Sequence, residues 1–473
     1  MLSTIGKMFQ IGLLFLSLVI INTSCNSTVY EGGGVGGQVF LDSIPVSKEA
    51  QRNFVHAWLA DCVNEDTHRF EHSALKHFTD IAKYRIQHAI ADPAILGYFG
   101  KDSLVWGPVL SVSSIKDSGY KYTPDNLLYC SFRKDSSGRG HYMVGTSGTN
   151  AISTYAWLSE DLDVASQQPW SNGGKISNGS NTGMQNLTGF RESGVTLDSF
   201  LRKQAQINPL MSVEVAGHSL GGALTQTMAS YLKGKLNSVD PNIPVSAWVY
   251  AGPTAGNEVF ADSLVAQLDG YYAYHNTIDV VPHAWEMQEL RKLCSLYEGF
   301  SLCGNTVDTN LWVNGVVRSL LARSEGGTYT QPVSHVPTFT GQHYFSTDTV
   351  GCSAVLGGIK DAWKASGLLT GLYRNLNNLG MQCGHDADIT EPEFNQFLFF
   401  LTELGSQHVT AYYQHFLSGT PLDTVLHKYV PGNSGTDIEL DALDALSSIV
   451  ESSYGFLLDK NITDCSCQTS SGE

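Results

Sequence analysis

The most informative stretch of the chain is Gly217-His218-Ser219-Leu220-Gly221-Gly222. It has the pattern G-x-S-x-G, in which a serine sits on a sharp turn from a strand into a helix with its hydroxyl exposed. A side chain two residues before or after the serine would collide in so tight a turn, and both positions are glycine. The pattern therefore predicts Ser219 as a nucleophile, in an elbow formed with Gly217, His218 and Gly221.

The residues on either side of the elbow have the patterns that such a turn requires. Apolar and polar residues alternate over Met211–Ala216, which predicts a strand with two unlike faces. Apolar residues recur every four positions from Leu220 to Leu232 and so share one face of a helix. A helix that begins at Ser219 directs its free N–H groups and the positive end of its dipole toward the serine.

Strand and helix patterns alternate through the middle of the chain. In chain order we predict helix Leu197–Gln206, strand Met211–Ala216, helix Leu220–Leu236, strand Val245–Ala251, helix Glu258–Leu268 and strand Tyr271–Thr277. This alternation indicates a mostly parallel central sheet flanked by helices. Outside it we predict helical patterning from Phe54 to about Ile95, a hairpin of Leu127–Phe132 and His141–Gly145, a polar loop or flap over Ser166–Thr188, and helices Glu391–Leu404 and Gln407–Leu417.

The charge balance excludes some classes of partner. The 473 residues include 45 Asp and Glu against 28 Lys and Arg, a net charge of −17. An acidic chain is not held electrostatically to nucleic acid or to an anionic membrane. We therefore expect no nucleic-acid partner, and an uncharged substrate or a lipid surface engaged through apolar contact.

The N-terminus has the features of a signal for export. Lys7 precedes the apolar run Ile11–Ile21, which is too short to span a bilayer but typical of a signal peptide, and we predict one over residues 1–24. Thr23-Ser24-Cys25 resembles the end of a bacterial lipoprotein signal, although Asn22 departs from the usual aliphatic residue. Cys25 is therefore either a lipidated N-terminus and possible membrane tether, followed by a flexible segment over 25–47, or is removed with the signal.

Eight cysteines remain besides Cys25, an even number that suits an exported chain with disulfides. Cys294 with Cys303 would close a short loop, and Cys352 with Cys383 a longer one. Two cysteines in apolar surroundings could be free thiols, Cys62 and Cys130. The pair Cys465 and Cys467 is too close for an easy mutual bond and could tie the tail, 465–473, to another part of the chain. Without a Cys-x-x-Cys pair, metal binding is the weaker interpretation, and we predict no metal.

A serine nucleophile needs a histidine base that is held by a carboxylate, and in α/β-hydrolases the chain order is Ser, acid, His. Asp279 lies in His275-Asn276-Thr277-Ile278-Asp279-Val280-Val281-Pro282, at the end of the second strand after the elbow. Active-site residues gather at the carboxyl ends of parallel strands. Asp240, in a turn, and Asp262, on a helix face, are poorer candidates.

Several histidines follow Asp279: His283, His335, His343, His385, His408 and His415. His283 is only four residues from the acid, and His385 stands in a polar loop that lacks full calcium-loop spacing. His408 lies at the start of a predicted helical segment, from which an imidazole can reach the serine. The pattern of residues alone leaves His343 and His385 open as alternatives.

Three segments in succession resemble the class 3 lipases: the elbow Gly217–Gly222, the turn Tyr250-Ala251-Gly252-Pro253-Thr254-Ala255-Gly256-Asn257, and the acid loop Asp279-Val280-Val281-Pro282. In that family the catalytic histidine is often followed five residues later by a tyrosine, as in His408-Val409-Thr410-Ala411-Tyr412-Tyr413. The resemblance implies an α/β-hydrolase fold and a triad of Ser219, Asp279 and His408.

The resemblance also implies an oxyanion hole. The family's motif is an apolar strand, Arg-Gly-(Ser/Thr) and a later Trp, and this chain has Met143-Val144-Gly145-Thr146-Ser147-Gly148-Thr149 with Trp157 further on. Ser147 replaces the arginine. Thr149 and the Leu220 N–H would be the donors, and the alternative is an ordinary Ser-Gly-Thr turn.

The acid and the histidine are 129 residues apart, far more than is usual in the family. This predicts an insertion over about 286–386, within a hydrolase domain spanning 48–464 that also has a helical N-terminal extension. Such an insertion can roof the pocket, and 151–158 or the polar loop after Val164 could act as a lid.

The chain is thus predicted to be an exported or lipid-anchored serine esterase or lipase that uses no cofactor. Its substrate would be a lipid or another ester, met in solution or at a lipid–water interface. The alternatives are a phospholipase A1, a feruloyl-type esterase, or a non-catalytic surface binding protein on a hydrolase scaffold.

Overall fold

A computed structural model describes residues 46–64, 66–114, 121–148, 150, 162–171, 173–298, 301–302, 305–306, 311–343, 368–385, 387–430 and 450–465. The predicted signal segment, Cys25, Thr149, the 151–158 lid, Cys303 and Cys352 lie outside the described residues.

A six-stranded sheet forms the centre of the fold. The strands of the described residues are β1 (Ser103–Ser114), β2 (Tyr122–Lys134), β3 (Gly140–Thr146), β4 (Gln167–Pro169), β5 (Lys175–Ser177), β6 (Met211–His218), β7 (Val245–Tyr250), β8 (Gly270–Tyr274), β9 (Ser301–Leu302) and β10 (Asn305–Thr306). The central sheet has the strand order β1-β2-β3-β6-β7-β8. Strands β3, β6, β7 and β8 pair in parallel, and β1-β2 and β2-β3 are antiparallel. The mostly parallel sheet and the predicted β2-β3 hairpin are therefore confirmed.

Helices cover both faces of this sheet. The helices labelled here are α1 (Lys48–Ala60), α2 (Glu71–Ile90), α3 (Pro93–Phe99), α4 (Asn178–Gly189), α5 (Leu197–Ile207), α6 (Leu220–Asn237), α7 (Glu258–Gln267), α8 (Met287–Lys292), α9 (Leu311–Ser324), α10 (Leu368–Gln382), α11 (Glu391–Gly405) and α12 (Ala411–Leu417). One face packs against α1, α2 and α12, and the other against α4, α5, α6 and α7. The alternation in β6 explains this arrangement. Val213 and Val215 belong to the hydrophobic core on the face covered by α4, α5, α6 and α7, while Ala216 belongs to the core on the face covered by α1, α2 and α12.

The polar stretch Ser166–Thr188 was predicted as a loop or flap, and this prediction is wrong. It contains the short β4-β5 hairpin and helix α4. The Ser177 hydroxyl accepts the Ser180 N–H and caps the helix. Small residues such as Gly179 and Gly183 let α4 lie close to the core, where Met184 and Leu187 are buried. The amino-acid composition did not indicate this helix, because few of its residues favour the helical conformation.

A third hydrophobic core, the helical cluster, is built mainly from α8, α9, α10 and α11, which lie between Asp279 and His408, and from the later helix over 450–459. Trp312 is almost fully buried in this cluster, and its Nε1–H donates to Leu376 O at 2.9 Å. Among the described residues no helix is both long and apolar enough to cross a bilayer.

The disulfide pattern differs from the one expected. Cys383 is bonded to Cys465, with 5.2 Å between their Cα atoms, so the predicted Cys352–Cys383 pairing is wrong. The C-terminal segment returns to the end of α10, where Gln382 Nε2 donates to Ile462 O at 2.7 Å, and this brings Cys465 to Cys383. Cys294 is disulfide-bonded as well. Cys62 and Cys130 are buried free thiols, which is one of the two alternatives that the sequence left open for them.

Candidate active site

Ser219 lies on the sharp turn between β6 and α6, with φ 59° and ψ −129°. This left-handed conformation is strained for a residue with a side chain and is typical of functional turns. The two glycines are needed for space: a Cβ on Gly217 would lie 2.2 Å from Gly221 O, and one on Gly221 would lie 2.5 Å from Thr146 O. The Ser219 N–H donates to Tyr250 O at 2.9 Å, which ties the elbow to β7.

Helix α6 begins immediately after the serine. Leu220 is its first residue, so the Leu220 N–H has no carbonyl one turn earlier in the helix to bond with. The Gly222 N–H donates to Ser219 O at 2.8 Å and closes the first turn. The free N–H groups and the positive end of the helix dipole are thus beside Ser219.

His408 contacts both other members of the expected triad. Its Nε2 lies 2.8 Å from Ser219 Oγ, and its Nδ1 lies 3.0 Å from Asp279 Oδ2 and 3.2 Å from Oδ1. A carboxylate can only accept, so Nδ1 carries the proton and Nε2 is left to accept from the serine hydroxyl. The structure therefore brings together the three residues that the sequence predicted.

His408 owes its position to a π-helical turn, Ser406–Thr410, between α11 and α12. Single π-helical turns are rare and frequent at functional sites. Asn276 donates from Nδ2 to Gln407 Oε1 at 2.8 Å and to Gln407 O at 3.1 Å, and Gln407 Nε2 donates to Glu403 Oε1 at 2.7 Å. These buried amides tie the turn to the loop that contains Asp279.

The carboxylate of Asp279 is fully buried behind His408. Its Oδ1 accepts the Val281 N–H at 3.0 Å, which fixes the acid in its own loop. The Tyr412 hydroxyl accepts the Asn276 N–H at 2.8 Å and also interacts with Asp279. The tyrosine that marked His408 in the sequence, five residues later, is Tyr413. The contact of Tyr412 with the acid loop could not be read from spacing.

His218 was predicted as part of the elbow, and the structure gives its side chain a specific contact. Its Nε2–H donates to the main-chain oxygen of His408 at 2.8 Å. Burial, with the neighbouring His408 adding to it, lowers the pKa of His218 to about 3, so this ring is neutral. Trp58 and Tyr412 pack edge-on against it.

The alternative bases are engaged elsewhere. His343 Nδ1 lies 2.8 Å from Glu403 Oε1, and His385 Nδ1 bonds Ala387 O at 2.8 Å. His283 Nδ1 bonds Glu289 Oε2 at 2.9 Å. The described residues contain no group of three or more metal-ligating side chains that could hold an ion.

The predicted donor Thr149 is not among the described residues, but its neighbour Gly148 is. A Cβ on Gly148 would lie 2.7 Å from His218 O and 3.3 Å from Ser219 Cβ, so this turn touches the elbow. The Gly148 N–H donates to Asp61 Oδ1 at 2.7 Å. Asp61 ends α1, far away in sequence, and nothing in the local pattern distinguished it from an ordinary turn residue.

Comparison with known proteins agrees with this geometry. Residues 143–289 match the model of the lipase (class 3) family, a range that includes Ser219 and Asp279. A secreted mono- and diacylglycerol lipase 1 of Fusarium solani is 29% identical over 96 residues, which are 20% of this chain and 27% of that protein. The chain thus matches about a quarter of the length of this relative.

Solved structures identify the fold. The crystal structure of M37 lipase aligns with a TM-score of 0.53 and 24% identity, over 77% of this chain and 99% of that one. A lipase from Rhizopus microsporus var. chinensis aligns with a TM-score of 0.34 and 18% identity, over 54% of this chain and 79% of that one. The likeness to M37 lipase and the mostly parallel sheet confirm the predicted α/β-hydrolase fold.

Proposed function

We propose that this chain, whose residues 143–289 match the class 3 lipase family, is a serine hydrolase that cleaves carboxylic esters of lipids. One observation carries the proposal: the imidazole of His408 bridges Ser219 Oγ, at 2.8 Å, and Asp279 Oδ2, at 3.0 Å. A nucleophile, a base and a carboxylate in this order are the parts that acyl transfer to serine requires.

In the first half of the reaction, Ser219 Oγ attacks the ester carbonyl while His408 Nε2 takes its proton. Asp279 holds the ring with Nδ1–H toward the carboxylate and stabilises the imidazolium that forms. Asp279 is suited to this role because its side chain is fully buried and is held by a further donor, the Val281 N–H. It can therefore accept the Nδ1–H without a change of side-chain conformation.

The tetrahedral intermediate carries a negative charge on the former carbonyl oxygen. We assign its stabilisation to the backbone N–H groups of Leu220, at the start of α6, and of Thr149. Removing one such donor typically costs about 3–4 kcal/mol of transition-state stabilisation. The positive end of the α6 dipole acts in the same direction.

The first half ends when His408 gives its proton to the leaving alcohol and an acyl-Ser219 ester remains. The second half of the reaction regenerates the enzyme. Water then attacks this ester, with His408 again as the base, and releases the carboxylic acid. Each step uses groups of this chain and water, so the route needs no cofactor.

Lipid esters are the proposed substrates because the family match is to lipases and the Fusarium relative is described as a mono- and diacylglycerol lipase. The net charge of −17 disfavours an anionic surface held by charge, so engagement of a lipid–water interface would be apolar. We also propose that the chain is exported, from the pattern of Lys7 and Ile11–Ile21, with Cys25 as a candidate lipid tether. Mass spectrometry of the mature N-terminus tests both points, because a chain that retains residues 1–24 contradicts them.

The decisive experiment compares the wild type with Ser219→Ala and with Ser238→Ala, an exposed serine at the end of α6. We expect Ser219→Ala to lose both turnover of p-nitrophenyl esters and labelling by a fluorophosphonate, and Ser238→Ala to keep both. A folded Ser219→Ala variant that retains turnover contradicts the proposal. Triglycerides of increasing chain length, phospholipids and aryl esters then separate lipase, phospholipase A1 and feruloyl-type esterase.

A further inference from the structure

Asn276 lies in the loop after β8, three residues before Asp279, and each of its polar groups is hydrogen-bonded. Its main-chain N–H donates to the Tyr412 hydroxyl at 2.8 Å, and its main-chain oxygen accepts the Asp279 N–H at 3.0 Å. Its Oδ1 accepts the N–H of Gly341 at 2.8 Å and that of Ile278 at 3.3 Å. The side chain is almost fully buried, so these bonds hold it in one orientation.

The remaining polar group of Asn276 is bonded to the π-helical turn Ser406–Thr410. Its Nδ2 donates to Gln407 Oε1 at 2.8 Å and to Gln407 O at 3.1 Å, and this carbonyl directly precedes His408 in the chain. The next carbonyl, His408 O, accepts the Nε2–H of His218 at 2.8 Å. Two consecutive carbonyls of the turn are therefore held by side chains, one from the acid loop and one from the elbow.

The third side of this arrangement comes from the segment between the acid and the histidine. Besides the bond from Gly341 to Asn276, Gln407 Nε2 donates to Gln342 O at 2.8 Å. A Cβ on Gly341 would lie 2.2 Å from Gln407 Oε1 and 2.9 Å from Asn276 Nδ2, so the main chain of this segment lies directly against both amides.

We propose that Asn276 is a positioning residue for ester hydrolysis: its carboxamide joins the main chain that leads into His408 to the loop of Asp279, and so keeps the imidazole aligned between acid and nucleophile. This inference rests on the proposed function. A base has to lie within hydrogen-bond reach of the proton that it takes, and misplacement by about 1 Å can cost about 100-fold in rate.

A carboxamide is the side chain that this position requires. One end has to accept the Gly341 N–H, while the other end has to donate to two oxygens of Gln407. A carboxylate can only accept, and an apolar side chain would leave these buried groups without their partner. Because Asn276 acts through the main chain of the turn, its loss should weaken transition-state stabilisation more than substrate binding.

The test compares Asn276→Ala with the wild type and with the control Asn53→Ala, on a soluble p-nitrophenyl ester and on a fluorophosphonate. Asn53 is a buried asparagine of α1 whose Nδ2 donates to Glu214 Oε2 at 2.9 Å and to Glu49 O at 3.0 Å. In Asn276→Ala we expect kcat to fall at least ~10-fold with KM within ~2-fold, and the rate constant of labelling to fall by a similar factor. Asn53→Ala should keep both rate constants within ~2-fold of the wild type.

Fluorophosphonate labelling separates positioning from folding. A structural role alone would lower the number of serines labelled at saturation, because fewer molecules are folded, and would leave the rate constant of the folded molecules unchanged. A positioning role lowers the rate constant while labelling still goes to completion. A folded Asn276→Ala variant with wild-type rate constants overturns the inference, as does an equal fall of the rate constants in Asn53→Ala.

A second variant disturbs the same contact from the insertion and removes no hydrogen-bonding group. In Gly341→Ala the new Cβ would displace the Gln407 carboxamide, so we expect kcat to fall at least ~5-fold. The control is Gly371→Ala on α10, where a Cβ would meet no atom within 4 Å, and it should keep wild-type kcat. A folded Gly341→Ala variant with wild-type kcat overturns the inference, and this result decides if Asn276→Ala does not fold.

Ser219→Ala, measured in the same series, separates this inference from the proposed function. If the wild type is active, Ser219→Ala is inactive and the Asn276 and Gly341 variants match the wild type, the role of Asn276 is wrong and the function stands. If Ser219→Ala retains turnover, the function itself is wrong.

Discussion

The Nε2–H of His218 donates a hydrogen bond of 2.8 Å to the main-chain oxygen of His408. The residue that precedes Ser219 in the chain therefore holds the backbone of the histidine that contacts Ser219 in space. Since His218 is neutral, it does not compete with His408 for a proton or repel the imidazolium that the mechanism requires.

Replacing His218 should loosen His408 without touching the substrate. We expect His218→Leu to lower kcat about tenfold with KM unchanged, and to lower the free energy of unfolding by about 1–3 kcal/mol because a buried carbonyl loses its donor. His218→Gln, which can still donate, should recover part of kcat. Steady-state kinetics and urea unfolding measure both effects, and a His218→Leu variant with wild-type kcat contradicts the positioning role.

Replacing the acid by its amide tests the triad. Asp279→Asn keeps the size of the side chain but can donate to Nδ1, which favours the wrong tautomer of His408, so we expect kcat to fall by about 10⁴. Asp262→Asn, on the exposed face of α7, is the matched control and should keep wild-type kcat. Loss of less than about tenfold in Asp279→Asn would mean that another group orients His408.

Acid should destabilise the fold through buried histidines. Burial lowers the pKa of His218 to about 3 and those of His275 and His415 to about 4. The native state then binds fewer protons than the unfolded state, whose histidines titrate near 6.5. The free energy of unfolding is therefore highest above pH 6.5 and falls as pH drops from 6.5 toward 4. Urea unfolding from pH 8 to pH 4.5 measures this fall, which should be shallower in His415→Phe; equal slopes in the two proteins would refute the assignment to His415.

The disulfide between Cys383 and Cys465 should stabilise the helical cluster. It closes a loop over a sequence separation of 82 residues. We expect the double variant Cys383→Ser, Cys465→Ser to lose about 2–4 kcal/mol of unfolding free energy, chiefly because its unfolded chain is less constrained. Thermal unfolding of the two proteins, each with and without reductant, measures the effect. A wild type whose Tm is unaffected by full reduction contradicts the expectation.

The sequence predicted those parts of the fold and site in which neighbouring residues carry the information. The elements from α5 to β8 agree with their patterns to within a few residues, because apolar spacing reports directly which face is buried. Helix α4 was missed since Ser, Asn and Gly favour turns, and its stability comes from a cap and from packing.

The same distinction holds at the site. Ser219 and Asp279 lie in compact motifs, whereas Asp61 and the Cys383–Cys465 pair depend on contacts between distant segments. Such contacts leave no local signature, because they are set by the path of the whole chain. His408 is an intermediate case, in which a tyrosine at a known spacing singled it out among the histidines that follow Asp279.

The 129 residues between Asp279 and His408 have a consequence for the order in which the enzyme becomes active. The elbow is complete once β6, α6 and β7 have met, but an unpaired serine is a poor nucleophile. During synthesis His408 emerges 189 residues after Ser219, and in the proposed mechanism the π-helical turn can act only once it has docked on the Asp279 loop. If the proposed triad is right, a partly made or partly folded chain is chemically silent, and hydrolysis begins only when the last long-range contact has formed.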